Sequence, residues 1–175
     1  MMRMLAEGGI PVITDELRRP DSDNPKGYFE FETVRQMSDG NVAWLEDAEG
    51  KAVKVISALL EHLPSNHSYK IIFLERDVQE ILASQRKMLM NRHEKEMGNE
   101  AEIEAQIQKH LSAMKPWLVR QPNMEVLYVN YNALLTKPGP LCEQITEFLE
   151  VPLNQTRMLA VPDRHLWRNR MVTEK

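Results

Sequence analysis

Tyr69-Lys-Ile-Ile-Phe-Leu-Glu-Arg-Asp-Val-Gln-Glu-Ile-Leu-Ala-Ser-Gln-Arg-Lys87 is the stretch that decides the fold. Its first six residues, Tyr69 to Leu74, are short, apolar and β-branched, the pattern of a buried strand. Asp77 followed by Glu80 has the form of a helix capping box, with Asp in the usual Ser/Thr place. Arg76 is therefore expected at the carboxyl end of a strand and just before a helix, where open α/β sheets hold anionic ligands. Ser84 lies seven residues past the cap, roughly 10 Å up the helix. Its Cβ tilts back toward the helix start, so a phosphate at the mouth would meet guanidinium and hydroxyl together. Taken locally, the same string also describes a surface Arg at a strand end and a Ser on a helix flank.

Working outward, Ile10–Thr14, Ala52–Ser57 and Glu125–Asn130 carry strand signals. Residues 1–7 form the end of an apolar helix stopped by Gly8-Gly9. A short helix leads up to Pro64, and a long helical pattern with a charged middle covers residues 86–118, interrupted near Gly98. Pro138–Leu149 is an amphipathic helix in which Cys142 falls on the apolar stripe with Leu141, Ile145, Phe148 and Leu149. Strands alternating with helices four times over predict an α/β fold, a parallel sheet with helices on both faces. The 175 residues suit a single domain, 1–175.

Composition narrows the function classes. Net charge of −4 argues against a general nucleic-acid binder, while leaving room for a local basic pocket. One cysteine cannot form an internal disulfide, which points to a cytoplasmic protein. No apolar run approaches the roughly 20 residues that span a bilayer, and the start has no signal-peptide core. His62, His67, His93, His110 and His165 lack metal spacing, so no metal site is expected. Trp44, Trp117 and Trp167 are scattered rather than interleaved with basic residues, which leaves a base-stacking platform unsupported. The eleven methionines, Met88 and Met90 among them, are expected to fill core gaps.

Arg76-Asp-Val-Gln-Glu-Ile-Leu-Ala-Ser84 resembles the 3′-phosphate motif of the P-loop sulfotransferases, an Arg followed by a helical Ser eight residues on. The likeness extends along most of the chain and is nearest to the family's bacterial branch. Met1–Asp15 is similar to the helix and second strand that follow the phosphate loop. Asn24-Pro-Lys-Gly-Tyr-Phe-Glu30 is similar to a segment near the acceptor, and Lys54 to the lysine of the Lys-Thr-His-Leu-Pro motif. Val126-Leu-Tyr-Val-Asn-Tyr131, with Leu134, Pro138 and Phe148-Leu149, is similar to the last strand and helix.

The resemblance implies a P-loop NTPase-like fold and sulfuryl transfer from 3′-phosphoadenylyl sulfate (PAPS) to a hydroxyl or amine of a small molecule or glycan. It implies no metal. Arg76 and Ser84 would bind the 3′-phosphate, and Lys54 would stabilise charge on the bridging oxygen. Arg164, Arg168 and Arg170 would close over a phosphate, if they are not simply a surface tail.

Two departures from the family pattern stand out. The Gly-rich phosphate loop and the strand before it are missing, so either a chain truncated at its N-terminus or a rearranged fold is expected, with impaired activity and with a sheet that has altered pairing or an unpaired edge prone to self-association. The catalytic His position two residues after Lys54 holds Ile56, leaving Glu30 or Glu32 as the base. If Tyr28–Glu32 is extended, both glutamates share one face. A non-catalytic nucleotide-binding or assembly module, and another P-loop transferase such as a small-molecule kinase, are the alternatives.

Overall fold

Two strands, β1 (Tyr69–Glu75) and β2 (Met124–Asn130), pair in parallel and are flanked by helices. The computed structural model describes residues 1–21, 24, 27–91, 98–163 and 165. The Pro25-Lys26 pair, His93, Arg164, Trp167, Arg168 and Arg170 lie outside the described residues. Cα packing divides the chain into two compact units, one of Met1–Tyr69 with Gly139–Pro162, the other of Lys70–Pro138 with Asp163–Lys175.

In the first unit, α1 (Met2–Gly8) ends where Gly9 adopts φ 108°, a left-handed cap open to Gly at little steric cost. Short 3-10 helices follow at Glu32–Asp39, Ala43–Asp47 and Ser57–His62. In the second unit, α2 (Val78–Asn91) and α3 (Glu100–Val119) carry the crossover from β1 to β2, the long connection that parallel strands require. Asn99 caps α3 by accepting from the N–H of Ala101. After β2 come α4 (Tyr131–Thr136), α5 (Pro138–Leu149) and α6 (Gln155–Leu159), the last two packed in the first unit. Pro138 opens α5 at the position where a missing N–H costs nothing.

The apolar stripe of α5 is realised. Cys142 and Ile145, three residues apart, are both fully buried, as is Met158 of α6. Full burial of such a side chain contributes about 1.5–3 kcal/mol. In the second unit Phe73, Leu82, Met114, Leu118, Met124, Val129, Leu134 and Leu135 are buried. Phe73 and Tyr128 place their rings 5.5 Å apart across the strand pair.

Two expected strands do not extend. Ile10–Thr14 and Ala52–Ser57 meet only at a single parallel bridge, Val12 with Ala52. Two bonds surround it, Ile13 N–H to Ala52 O and Ala52 N–H to Pro11 O. Pro11 has no N–H to lengthen the ladder, and the Asp15 N–H goes to the carbonyl of Glu30 instead. Methionines 4, 37, 114, 124 and 158 do fill core positions, whereas Met90 is 69% exposed.

Candidate functional site

The first unit gathers a polar cluster around Glu30. Oε1 of Glu30 receives Nζ of Lys54 at 3.4 Å and Nη1 of Arg18 at 3.5 Å. Lys54 also donates to the carbonyl of Tyr28 at 3.1 Å. The Arg18 guanidinium lies 3.4 Å from the centroid of the Tyr28 ring, and the Tyr28 hydroxyl donates to both oxygens of Asp21 at 2.7 and 2.8 Å. Burial, then the Asp21 hydrogen bond, pushes the Tyr28 phenol above its ordinary value.

The backbone beneath this cluster is held in an unusual shape. Phe29 adopts φ 51°, a left-handed conformation that costs a non-glycine residue about 1–3 kcal/mol. The carbonyl of Glu30 is fixed by Thr14 Oγ1 at 3.0 Å and by the Asp15 N–H at 3.2 Å. Asp15 Oδ2 takes the Glu32 N–H at 2.6 Å. These contacts displace the extended run expected over Tyr28–Glu32, because local side-chain bonds compete with a ladder for the same backbone groups. Glu30 and Glu32 are therefore not two positions of one extended run. Glu32 opens a 3-10 helix and pairs with Arg35 at 3.4 Å.

Lys54 differs from its expected setting too. Without a strand to bury it, its side chain is 40% exposed, and the flanking Val53 and Val55 are half-buried. Ile56, at the position of the family's His, is 59% exposed.

The second unit holds Arg76 at the end of β1, as its place in the sequence predicts. Asp77 caps α2, its Oδ1 accepting from Gln79 N–H at 2.8 Å and Glu80 N–H at 3.4 Å. The Glu80 carboxylate, only 3% exposed, receives Arg76 Nε on Oε2 at 3.1 Å and Asn132 Nδ2 on Oε1 at 3.2 Å. The Arg76 guanidinium carbon sits 4.9 Å from the Tyr131 ring centroid. Arg76 is 22% exposed, and among the described residues its Nη atoms make no hydrogen bond. Such a fork matches phosphate or carboxylate oxygens. Ser84 is half-buried on α2, one turn beyond Glu80, on the same side of the helix.

Sequence reasoning missed Arg18 and Asn132. Arg18 falls in a turn-rich segment without periodicity, and Asn132 follows a strand as an unremarked polar residue. Glu80 carried a signal, its place three residues after the cap, but that signal pointed to capping rather than to Arg76. A separate open cleft of about 320 Å³ in the first unit is lined by Arg3, Glu7, Arg157, Ala160 and Val161, none of them nominated by the sequence.

Among the described residues, no group of three or more His, Cys, Asp or Glu is arranged to hold a metal ion. No helix among them is long and apolar enough to cross a membrane. A sequence model described as the sulfotransferase family matches residues 19–155. That span takes in Glu30, Lys54, Arg76, Glu80, Ser84 and Asn132, with Arg18 one residue outside. No curated protein and no solved structure matches the chain.

Proposed function

The chain belongs to the sulfotransferase family, and from that premise we propose that it serves transfer of a sulfuryl group from PAPS to a hydroxyl or amine acceptor. The acceptor oxygen or nitrogen bonds to sulfur while the bond from sulfur to the bridging phosphate oxygen breaks. Adenosine 3′,5′-bisphosphate leaves with that electron pair. Glu30 takes the acceptor proton, and Lys54, already within reach of Glu30, neutralises charge on the departing oxygen. Arg76 and Ser84 hold the 3′-phosphate. Between the two glutamates, the cluster around Lys54 favours Glu30 as the base, since Glu32 is drawn off by Arg35.

One observation carries this reading. Arg76 is tethered through Nε alone, with its Nη edge uncommitted among the described residues. A calorimetric titration with adenosine 3′,5′-bisphosphate tests it, with at least tenfold weaker binding expected for Arg76→Ala. Equal affinity in the two proteins would overturn it. The 175 residues contain no Gly-x-x-x-x-Gly-Lys-Ser/Thr loop, so they lack the backbone cradle such a loop gives a 5′-phosphosulfate. The purified chain is accordingly expected to bind the bisphosphate and to turn PAPS over slowly or not at all. Turnover at an ordinary enzymatic rate would contradict that expectation.

A further inference from the structure

We propose that Glu80 is a positioning residue for Arg76, with Asn132 holding Glu80 in turn, and that this relay gives the site its preference for a 3′-phosphorylated nucleotide. The inference rests on the assignment of Arg76 to the 3′-phosphate. Glu80 is the one charged side chain that is buried among the described residues. A buried carboxylate is costly unless it is paired and hydrogen-bonded, and here each oxygen has its own donor. Oε2 takes Arg76 Nε at 3.1 Å, and Oε1 takes Asn132 Nδ2 at 3.2 Å.

The geometry of the pair is informative. An Arg–carboxylate contact serving stability alone gains most when two N–H groups meet two oxygens. Here Arg76 gives Glu80 only its Nε–H, leaving its own Nη edge, among the described residues, for another oxyanion. The Tyr131 ring at 4.9 Å restricts the plane of the guanidinium. Asn132 bears a cost for its part. Among the described residues its Oδ1 is buried with no hydrogen-bond partner, an arrangement that detracts from stability. Asn132 follows β2 and Arg76 follows β1, so the relay joins the carboxyl ends of both strands through one side chain of α2.

The test compares two nucleotides that differ in the 3′-phosphate alone, adenosine 3′,5′-bisphosphate and adenosine 5′-monophosphate. Glu80→Gln keeps the shape of the side chain and removes its charge. Its affinity for the bisphosphate is expected to fall 5- to 20-fold while the monophosphate is unaffected, so the ratio of the two collapses. Glu80→Asp is expected to restore part of it. Loss of melting temperature with an unchanged ratio would show a purely structural residue and overturn the proposal. Should Glu80→Gln fail to fold, Asn132→Ala replaces it, with a two- to fourfold drop in the ratio expected and an unchanged ratio counting against the relay. Arg76→Ala separates the two levels. If it leaves the ratio intact, the 3′-phosphate assignment and this inference fall together. If it abolishes the ratio while Glu80→Gln does not, only the role of Glu80 is lost.

Discussion

Lys54 and Glu30, 24 residues apart in sequence, meet at 3.4 Å, with Arg18 completing the cluster on the same carboxylate oxygen. The pair forms where the structure abandons regular pairing. Lys54 follows a single bridge rather than a strand, and Glu30 follows a residue with positive φ.

Exposed ion pairs contribute about 0.2–1 kcal/mol. Lys54→Met should therefore lower unfolding free energy by no more than about 1 kcal/mol in a urea titration. If Lys54 and Glu30 act in transfer, Lys54→Met and Glu30→Gln should each reduce the residual sulfuryl-transfer rate by about 100-fold. Rates that fall only in proportion to stability would assign the pair to the scaffold.

Asp15 supplies a pH-dependent tether. Hydrogen bonds from the backbone N–H groups of Glu32 and Leu17 hold its carboxyl below its ordinary value of 3.8. A depressed folded-state value means that the contribution is fully present above the ordinary value and is lost as pH falls through the folded one. Asp15→Asn should thus melt earlier than the parent at pH 7. The gap should close in the acid range below pH 3.8. Melting curves from pH 7 to pH 2.5 check this, and a constant gap would count against it.

Gly8 is expected to resist replacement. A Cβ there would lie 2.9 Å from Sδ and 3.0 Å from Cγ of Met158, a side chain with no exposed surface. Gly8→Ala gains about 1 kcal/mol of helix propensity but overpacks the α1–α6 contact by about 1–3 kcal/mol. Net destabilisation near 1 kcal/mol is the expected outcome in denaturant unfolding. A more stable variant would mean that Met158 yields freely.

Cys142 should be chemically silent in the folded protein. Burial, then the nearby charge of Glu143, pushes its thiol above the ordinary value, and the thiolate is the reactive form. Iodoacetamide at pH 8 should modify it only after denaturant is added. Rapid labelling of the native chain would show that α5 opens easily.

Much of the architecture was legible in one dimension. The strand from Tyr69, its cap at Asp77 and the helix beyond depend on contiguous residues. So do the Gly8-Gly9 stop and the buried Cys142–Ile145 stripe of α5. Periodicity and capping are local physics, and local physics survives in any context that buries the apolar face. The reach of each strand was not legible in the same way. Ala52–Ser57 has the composition of a strand, yet a ladder needs a partner with free N–H groups; Pro11 has none and the Asp15 N–H goes to the carbonyl of Glu30.

What the sequence alone determined is the β1–α2 unit with Arg76 at its mouth, because strand, cap and helix lie within 23 consecutive residues. Tertiary structure alone decided which glutamate meets Lys54, how exposed that lysine is, and that Asn132 reaches the Glu80 carboxylate. Those choices rest on contacts between segments 16 to 52 residues apart. Only the folded chain settles how hydrogen-bond donors and acceptors so distant in sequence compete for one another.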